Sequence, residues 1–199
     1  MSSFIISADL GQVNDYTAIT IFEIIAQKTE FEYHLRHIER PELGTTYPKI
    51  VDRIQELAKS DKLGRKSKTV VIDITGGGRP VWDMMDKALY GVNMKGITIT
   101  GGNSVSKEGG IYYVPKRDLV SALQIAFQNG QLKIAKGLTE ADTLVKELTN
   151  FKVKININGH DQYEAWRESI HDDIVLSAAM AVWLANQSYF ALIGIKSLI

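Results

Sequence analysis

The sequence predicts an α/β fold: a five-stranded mixed sheet in the order 3-2-1-4-5, flanked by helices, with an added β-hairpin before the last helix. Three observations predict it. Three β-rich runs stand together at the amino terminus, separated by turn-length segments containing Gly, Asn and Asp. Helical and apolar strand segments alternate after them, which is the pattern of a parallel crossover. Near the carboxyl end an apolar, alanine-rich stretch, "IVLSAAMAVW" at 174–183, reads as a helix built for close packing.

The first three strands are expected at 4–11 ("FIISADLG"), 17–25 ("TAITIFEII") and 31–40 ("FEYHLRHIER"), paired as an antiparallel meander. An amphipathic helix follows over 47–62, where Ile50, Ile54, Leu57 and Ala58 share one stripe and Pro48 suits a first helical turn. "KTVVIDIT" at 68–75 is a strand buried on both faces, leading through "GGGRP" into a helix near 79–90. The fifth strand is expected at 95–102. After an irregular stretch come a helix over 116–130, a short strand "QLKIA" and a helix over 140–151. "KVKINING" and "QYEAWRE" read as a hairpin turning at Asn158 and Gly159. No repeat or linker divides residues 1–199, so one domain is expected.

A right-handed crossover from the third strand to the fourth leaves the fourth parallel to the first or the third. If it lies beside the first, Asp9 and Asp73 stand at the carboxyl ends of neighbouring parallel strands, with backbones about 5 Å apart. Open α/β sheets hold their ligands at that edge. Two carboxylates that close repel unless a proton or a cation lies between them. The last helix opens with Asp172 and Asp173, and if it crosses the sheet these acids can reach the same place. No Lys or Arg is conspicuous between them in the sequence. Such a cluster calls for oxygen-bound dications, Mg²⁺ or Mn²⁺, and two of them about 3.5 to 4 Å apart suit in-line attack on a phosphodiester. Each acid also has an ordinary reading: Asp172 and Asp173 as helix caps, Asp73 as a cap or turn residue, Asp9 as a turn start.

Composition narrows the classes. Acidic and basic residues balance at 23 each, so global attraction to nucleic acid is unsupported and phosphate binding must be local or through metal. There is no cysteine, and histidines at 34, 37, 160 and 171 form no HExxH pattern, so the usual zinc sites are excluded. Neither a signal peptide nor a membrane span is expected. Local basic candidates for the DNA backbone are Arg79 in "GGGR", Lys116 and Arg117 opening a helix, Lys152 and Lys154 on the expected hairpin, and His171; each is equally an ordinary solvated side chain. "GGNSVSKE" at 101–108 carries Ser106 and Glu108 where a phosphate loop needs Gly and Ser or Thr, so no Walker motif is read there.

"SADLGQVNDYTAITIFE", "VVIDITGGGRPVWDMM", "YYVPKRDLVSALQIAFQNGQLKIA", "LVKELTNF" and "HDDIVLSAAMAVW" resemble, in that order, the nuclease domain of the large terminase subunit of tailed bacteriophages. The likeness runs from Ser7 to about Trp183. It implies an RNase H-like fold and a Mg²⁺- or Mn²⁺-dependent endonuclease, with two ions, that cuts concatemeric phage DNA during genome packaging in the host cytoplasm. It further implies double-stranded DNA, a terminase ATPase domain, the small terminase subunit and the portal as partners. By that likeness Asp9 and Asp73 are metal ligands, and Asp173, assisted by Asp172, supplies the third, with His171 near metal or phosphate. A monomer is expected in isolation. Three rivals remain at this stage: a Holliday-junction resolvase of the same fold, a non-catalytic packaging scaffold, and an actin- or sugar-kinase-like ATPase, which would need two duplicated halves.

Overall fold

The computed structural model describes residues 2–11, 15–27, 30–157 and 172–192. The chain opens with β1 (Ser2–Asp9), β2 (Ala18–Ala26) and β3 (Phe31–Glu39), then α1 (Tyr47–Lys59), β4 (Lys68–Asp73), α2 (Arg79–Ala88) and β5 (Asn93–Thr100). A short β6 (Ser106–Glu108) and β7 (Ile111–Pro115) precede α3 (Lys116–Gln128), β8 (Leu132–Ile134), α4 (Ala141–Ile157) and α5 (Asp173–Leu192).

Among the described residues, eight strands join one mixed sheet, in the order β6-β7-β5-β4-β1-β2-β3-β8. The expected 3-2-1-4-5 order is its centre. β1 pairs antiparallel with β2 and parallel with β4, with Ala8 opposite Ile72, so Asp9 and Asp73 fall on the next rung. β3, β4, β5, β7 and β8 run parallel to β1, which brings the carboxyl ends of six strands to one edge. β1 lies at the middle and is buried on both faces, as its unbroken run from Phe4 to Ala8 requires.

Alternation along the strands builds two cores. Phe4, Ile6 and Ala8 of β1, with Val70 and Ile72 of β4, meet Ile50, Ile54, Val81 and Met85 of α1 and α2. Ile5 and Val71 face the other way, onto α3, α4 and α5. Asp9 and Asp73 share the parity of Ile5 and Val71, so they belong to the α5 face. α5 is apolar all round because the sheet covers one side and α3 and α4 others; Ile174 to Ala185 are all buried. Its small residues let it lie close to the strands. Ser177 Oγ donates to the Ser7 carbonyl at 3.0 Å and meets Thr20 Oγ1 at 2.9 Å, locking the helix across β1 and β2. Ala178 is fully buried, and Ala178→Leu is expected to lower stability by about 1–3 kcal/mol through overpacking. Urea unfolding would measure this, and an unchanged midpoint would show that α5 has room to shift.

Three expectations are corrected. The stretch read as irregular holds β6 and β7, joined by Gly109 and Gly110 as a two-residue hairpin with Glu108 opposite Ile111; Gly109 takes φ +58°, which the tight turn requires. Five strands therefore become eight, with β8 added on the outer side of β3. The first strand of the expected late hairpin is instead the end of α4, which runs to Ile157. In the sequence, positions 144, 148, 151 and 155 are apolar at helical spacing, while "KVKINI" also alternates as a strand does. The second strand lies outside the described residues. Among the described residues no helix is long and apolar enough to cross a membrane.

Candidate active site

Asp9 ends β1 and Asp73 ends β4, side by side on neighbouring parallel strands, and each carboxyl acts on the other. Asp9 is 8% exposed. Burial pushes its carboxyl well above the usual 3.8, and Asp73, Asp173 and Asp172 push it further; Lys116 pulls the other way but is the smallest of these influences. Burial likewise raises Asp73, against the hydrogen bonds that it accepts from Thr75 and shares with Asp9 and against the charge of Lys116. Four carboxylates therefore act on one another at this edge, although they come from three distant parts of the chain.

Asp73 is fixed from behind. Its Oδ1 accepts the backbone N–H of Thr75 at 2.7 Å and the Thr75 hydroxyl as well. Thr75 Oγ1 in turn accepts Ile99 N–H at 2.8 Å, tying the carboxylate to β5. The chain then folds back through Gly76 (φ +65°) and Gly78. A Cβ at Gly78 would stand 2.9 Å from the Asp73 carbonyl oxygen, so a side chain there would displace the turn that carries the acid. Thr75→Val is expected to cost about 1–3 kcal/mol by leaving Ile99 N–H without its acceptor. Chemical denaturation would measure it; a neutral result would mean that water replaces the hydroxyl.

Asp172 immediately precedes α5 and Asp173 is its first residue. The Asp172 carbonyl accepts Leu176 N–H at 2.9 Å, so its backbone stands at the cap position, but its carboxylate takes Lys116 Nζ at 2.7 Å. The N–H of Val175 is satisfied instead by Glu147 Oε2 of α4, at 3.0 Å. A carboxylate from another helix thus caps α5. Asp173 Oδ2 accepts from an Arg40 guanidinium nitrogen at 2.9 Å, and the same nitrogen lies 3.2 Å from Glu147 Oε1. Glu147 is 5% exposed, and burial lifts its carboxyl to about 7 in spite of Val175 N–H and Arg40.

The expectation that no Lys or Arg stands among the acids is therefore wrong. Lys116 opens α3 directly after β7, and Arg40 follows β3, so both arrive at the edge where β1 and β4 end. Their charges are engaged on Asp172 and Asp173, and they do not prevent Asp9 and Asp73 from being pushed up. Arg40, Thr75 and Glu147 were not expected at the site. Glu147 had one sequence signal, since it falls three residues after Leu144 and one before Leu148, on the buried stripe of α4. Arg40 and Thr75 had none beyond standing just past strand ends.

Among the described residues, Arg117 and Arg79 have other partners than these acids. Arg117 bonds Asp118 at 3.3 Å and the Asn103 carbonyl at 3.2 Å, on the same edge beyond β5. Exposed Arg79 lies 3.9 Å from Asp83 at the start of α2, on the opposite face of the sheet. The side chains of Lys152 and Lys154, and all of His171, lie outside the described residues.

The donor set is made of hard carboxylate oxygens, which fits Mg²⁺ or Mn²⁺ and not a thiolate metal. Among the described residues no three His, Asp or Glu side chains already surround a common metal-sized point. The arrangement fits in chemistry, and drawing the acids around an ion requires Asp172 and Asp173 to share or leave their basic partners.

The terminase RNaseH-like domain family matches residues 6–183. No curated protein matches the sequence. Among solved structures, the chain is similar to the human cytomegalovirus terminase nuclease domain, Mn soaked, at 11% identity and a TM-score of 0.56, covering 94% of this chain and 85% of that one. It is similar to the nuclease domain of the large terminase subunit gp2 of bacterial virus Sf6, at 13% identity and a TM-score of 0.60, covering 90% and 87%. Against the large terminase from a thermophilic bacteriophage the identity is 10% and the TM-score 0.60, over 93% of this chain but only 39% of that one.

Proposed function

Because the chain belongs to the terminase RNaseH-like domain family, we propose that it is a dication-dependent DNA endonuclease that cuts concatemeric phage DNA during genome packaging. The observation that carries this reading is the meeting of Asp9 and Asp73 on adjacent strand ends, with both carboxyls held above their usual range by burial and Asp9 pushed further by the acids of α5. Asp9, Asp73 and Asp173 are the proposed metal ligands, with Asp172 assisting.

The chemistry supplied by a bound dication is activation of water for in-line attack on phosphorus and neutralisation of the charge on the departing 3′ oxygen. The protein's own part is positional. Thr75 holds Asp73 in one orientation, and Ser177 holds α5 against β1 so that its first residues reach the sheet edge. Burial holds the Asp9 and Asp73 carboxyls above their usual range, and a dication held between them would offset the repulsion of their ionised forms. Lys116, beside Asp172, offsets the repulsion that a phosphate would meet near so many carboxylates. Arg117 lies on the same edge and is the next candidate for the DNA backbone.

Double-stranded DNA is the proposed substrate, and the ATPase domain, small subunit and portal are proposed partners in the host cytoplasm. Supercoiled plasmid incubated with the protein should become nicked and linear with Mn²⁺ and stay intact with chelator. Intact plasmid across a range of Mn²⁺ concentrations would refute the assignment. Preferential cutting of four-way junctions over linear duplex would replace it with a resolvase.

A further inference from the structure

We propose that Arg40 is a positioning residue that competes with the dication for Asp173, and that Glu147 is the acceptor to which it retreats. This rests on the nuclease reading and adds to it how the third acid is delivered. A single guanidinium nitrogen of Arg40, which carries two N–H groups, is 2.9 Å from Asp173 Oδ2 and 3.2 Å from Glu147 Oε1, so it bridges the two carboxylates. Arginine cannot lose its charge by giving up a proton, so its hold on Asp173 Oδ2 opposes an ion there, and that opposition falls when the guanidinium shifts toward Glu147.

The surroundings suit that exchange. The Arg40 Cζ lies 4.8 Å from the centroid of the Tyr16 ring, which supports the planar group from one face whichever carboxylate it bonds. Arg40 Nε is buried and has no hydrogen-bond partner among the described residues, so the guanidinium is not locked by a complete set of bonds. Glu147 is anchored independently through Val175 N–H, and it stays in place when Arg40 shifts toward it.

Two substitutions should act in opposite directions. Arg40→Gln removes the competitor and is expected to tighten Mn²⁺ binding by roughly fivefold or more. Glu147→Gln keeps an oxygen to cap Val175 but removes the charge that draws Arg40 away, so Mn²⁺ binding should weaken by a similar factor. A residue that only held the fold together would shift both variants the same way or neither. The measurement is calorimetric titration of Mn²⁺ into metal-free protein at about pH 8, where Glu147 is ionised, with the Mn²⁺-dependent rise in melting temperature as a second readout. Opposite shifts support the exchange, and any other pair of results from two folded variants overturns it. If Arg40→Gln does not fold, weaker binding by Glu147→Gln supports the exchange and unchanged or tighter binding overturns it. Should the unaltered protein bind no Mn²⁺ under the same conditions, it is the nuclease reading that fails.

Discussion

Asp73→Asn is expected to reduce Mn²⁺-dependent plasmid cleavage by on the order of 10³-fold or more while leaving the fold intact. An asparagine oxygen can still accept the N–H and hydroxyl of Thr75, so the turn after β4 keeps its hydrogen bonds. What disappears is the negative charge that Asp73 places beside Asp9. Removing it relieves a repulsion in the metal-free protein, so the variant should melt no lower than the original in chelator. Lost cleavage with retained or increased stability separates a chemical role from a structural one. Cleavage that survives the substitution would remove Asp73 from the site.

The metal-free protein should lose stability as pH rises from about 5 to 8. Glu147 titrates near 7 in the folded chain against an ordinary 4.5. An acid raised on folding contributes stability that is fully present below its unfolded pKa and is lost as pH rises through the folded one. For Glu147 that window is 4.5 to about 7, and the shift corresponds to roughly 2–3 kcal/mol. Asp9 and Asp73 are raised as well and act with the same sign. Glu23 and Glu39 act oppositely, because their cationic partners hold them at about 2. Their contribution is lost only below 4.5, outside the window. Urea unfolding in chelator between pH 5 and 8 would measure the slope, and a flat profile would show that the acids do not repel as described. Mn²⁺ should flatten or reverse the trend, since a dication favours the ionised carboxylates.

The central strands, α1, α2, α3 and the apolar α5 were legible because burial imposes periodicity. Ile50, Ile54 and Ala58 repeat at helical spacing, and β1 and β4 hold continuous buried runs, apolar but for Ser7, because helices cover both faces. The adjacency of Asp9 and Asp73 was legible conditionally: the handedness of the crossover leaves β4 parallel to β1 or β3, and the observed pairing of β4 with β1 closes that choice. The end of α4 was misread because "KVKINI" satisfies both periods, and local sequence cannot choose between them. β6 and β7 were missed although the Gly109–Gly110 pair marks a hairpin.

The sequence by itself determined the terminase-type fold and which strand ends carry acids, since both follow from patterns local to each segment and from the handedness of one connection. Only the tertiary structure decided which charges meet those acids. Lys116, Arg40 and Glu147 lie far apart in the chain and come together through the packing of α3, α4 and α5 around one sheet edge. That packing also decided that Glu147 caps α5, which leaves Asp172 and Asp173 to face the site. Charge interactions depend on distance through space, and spacing along a chain does not record it.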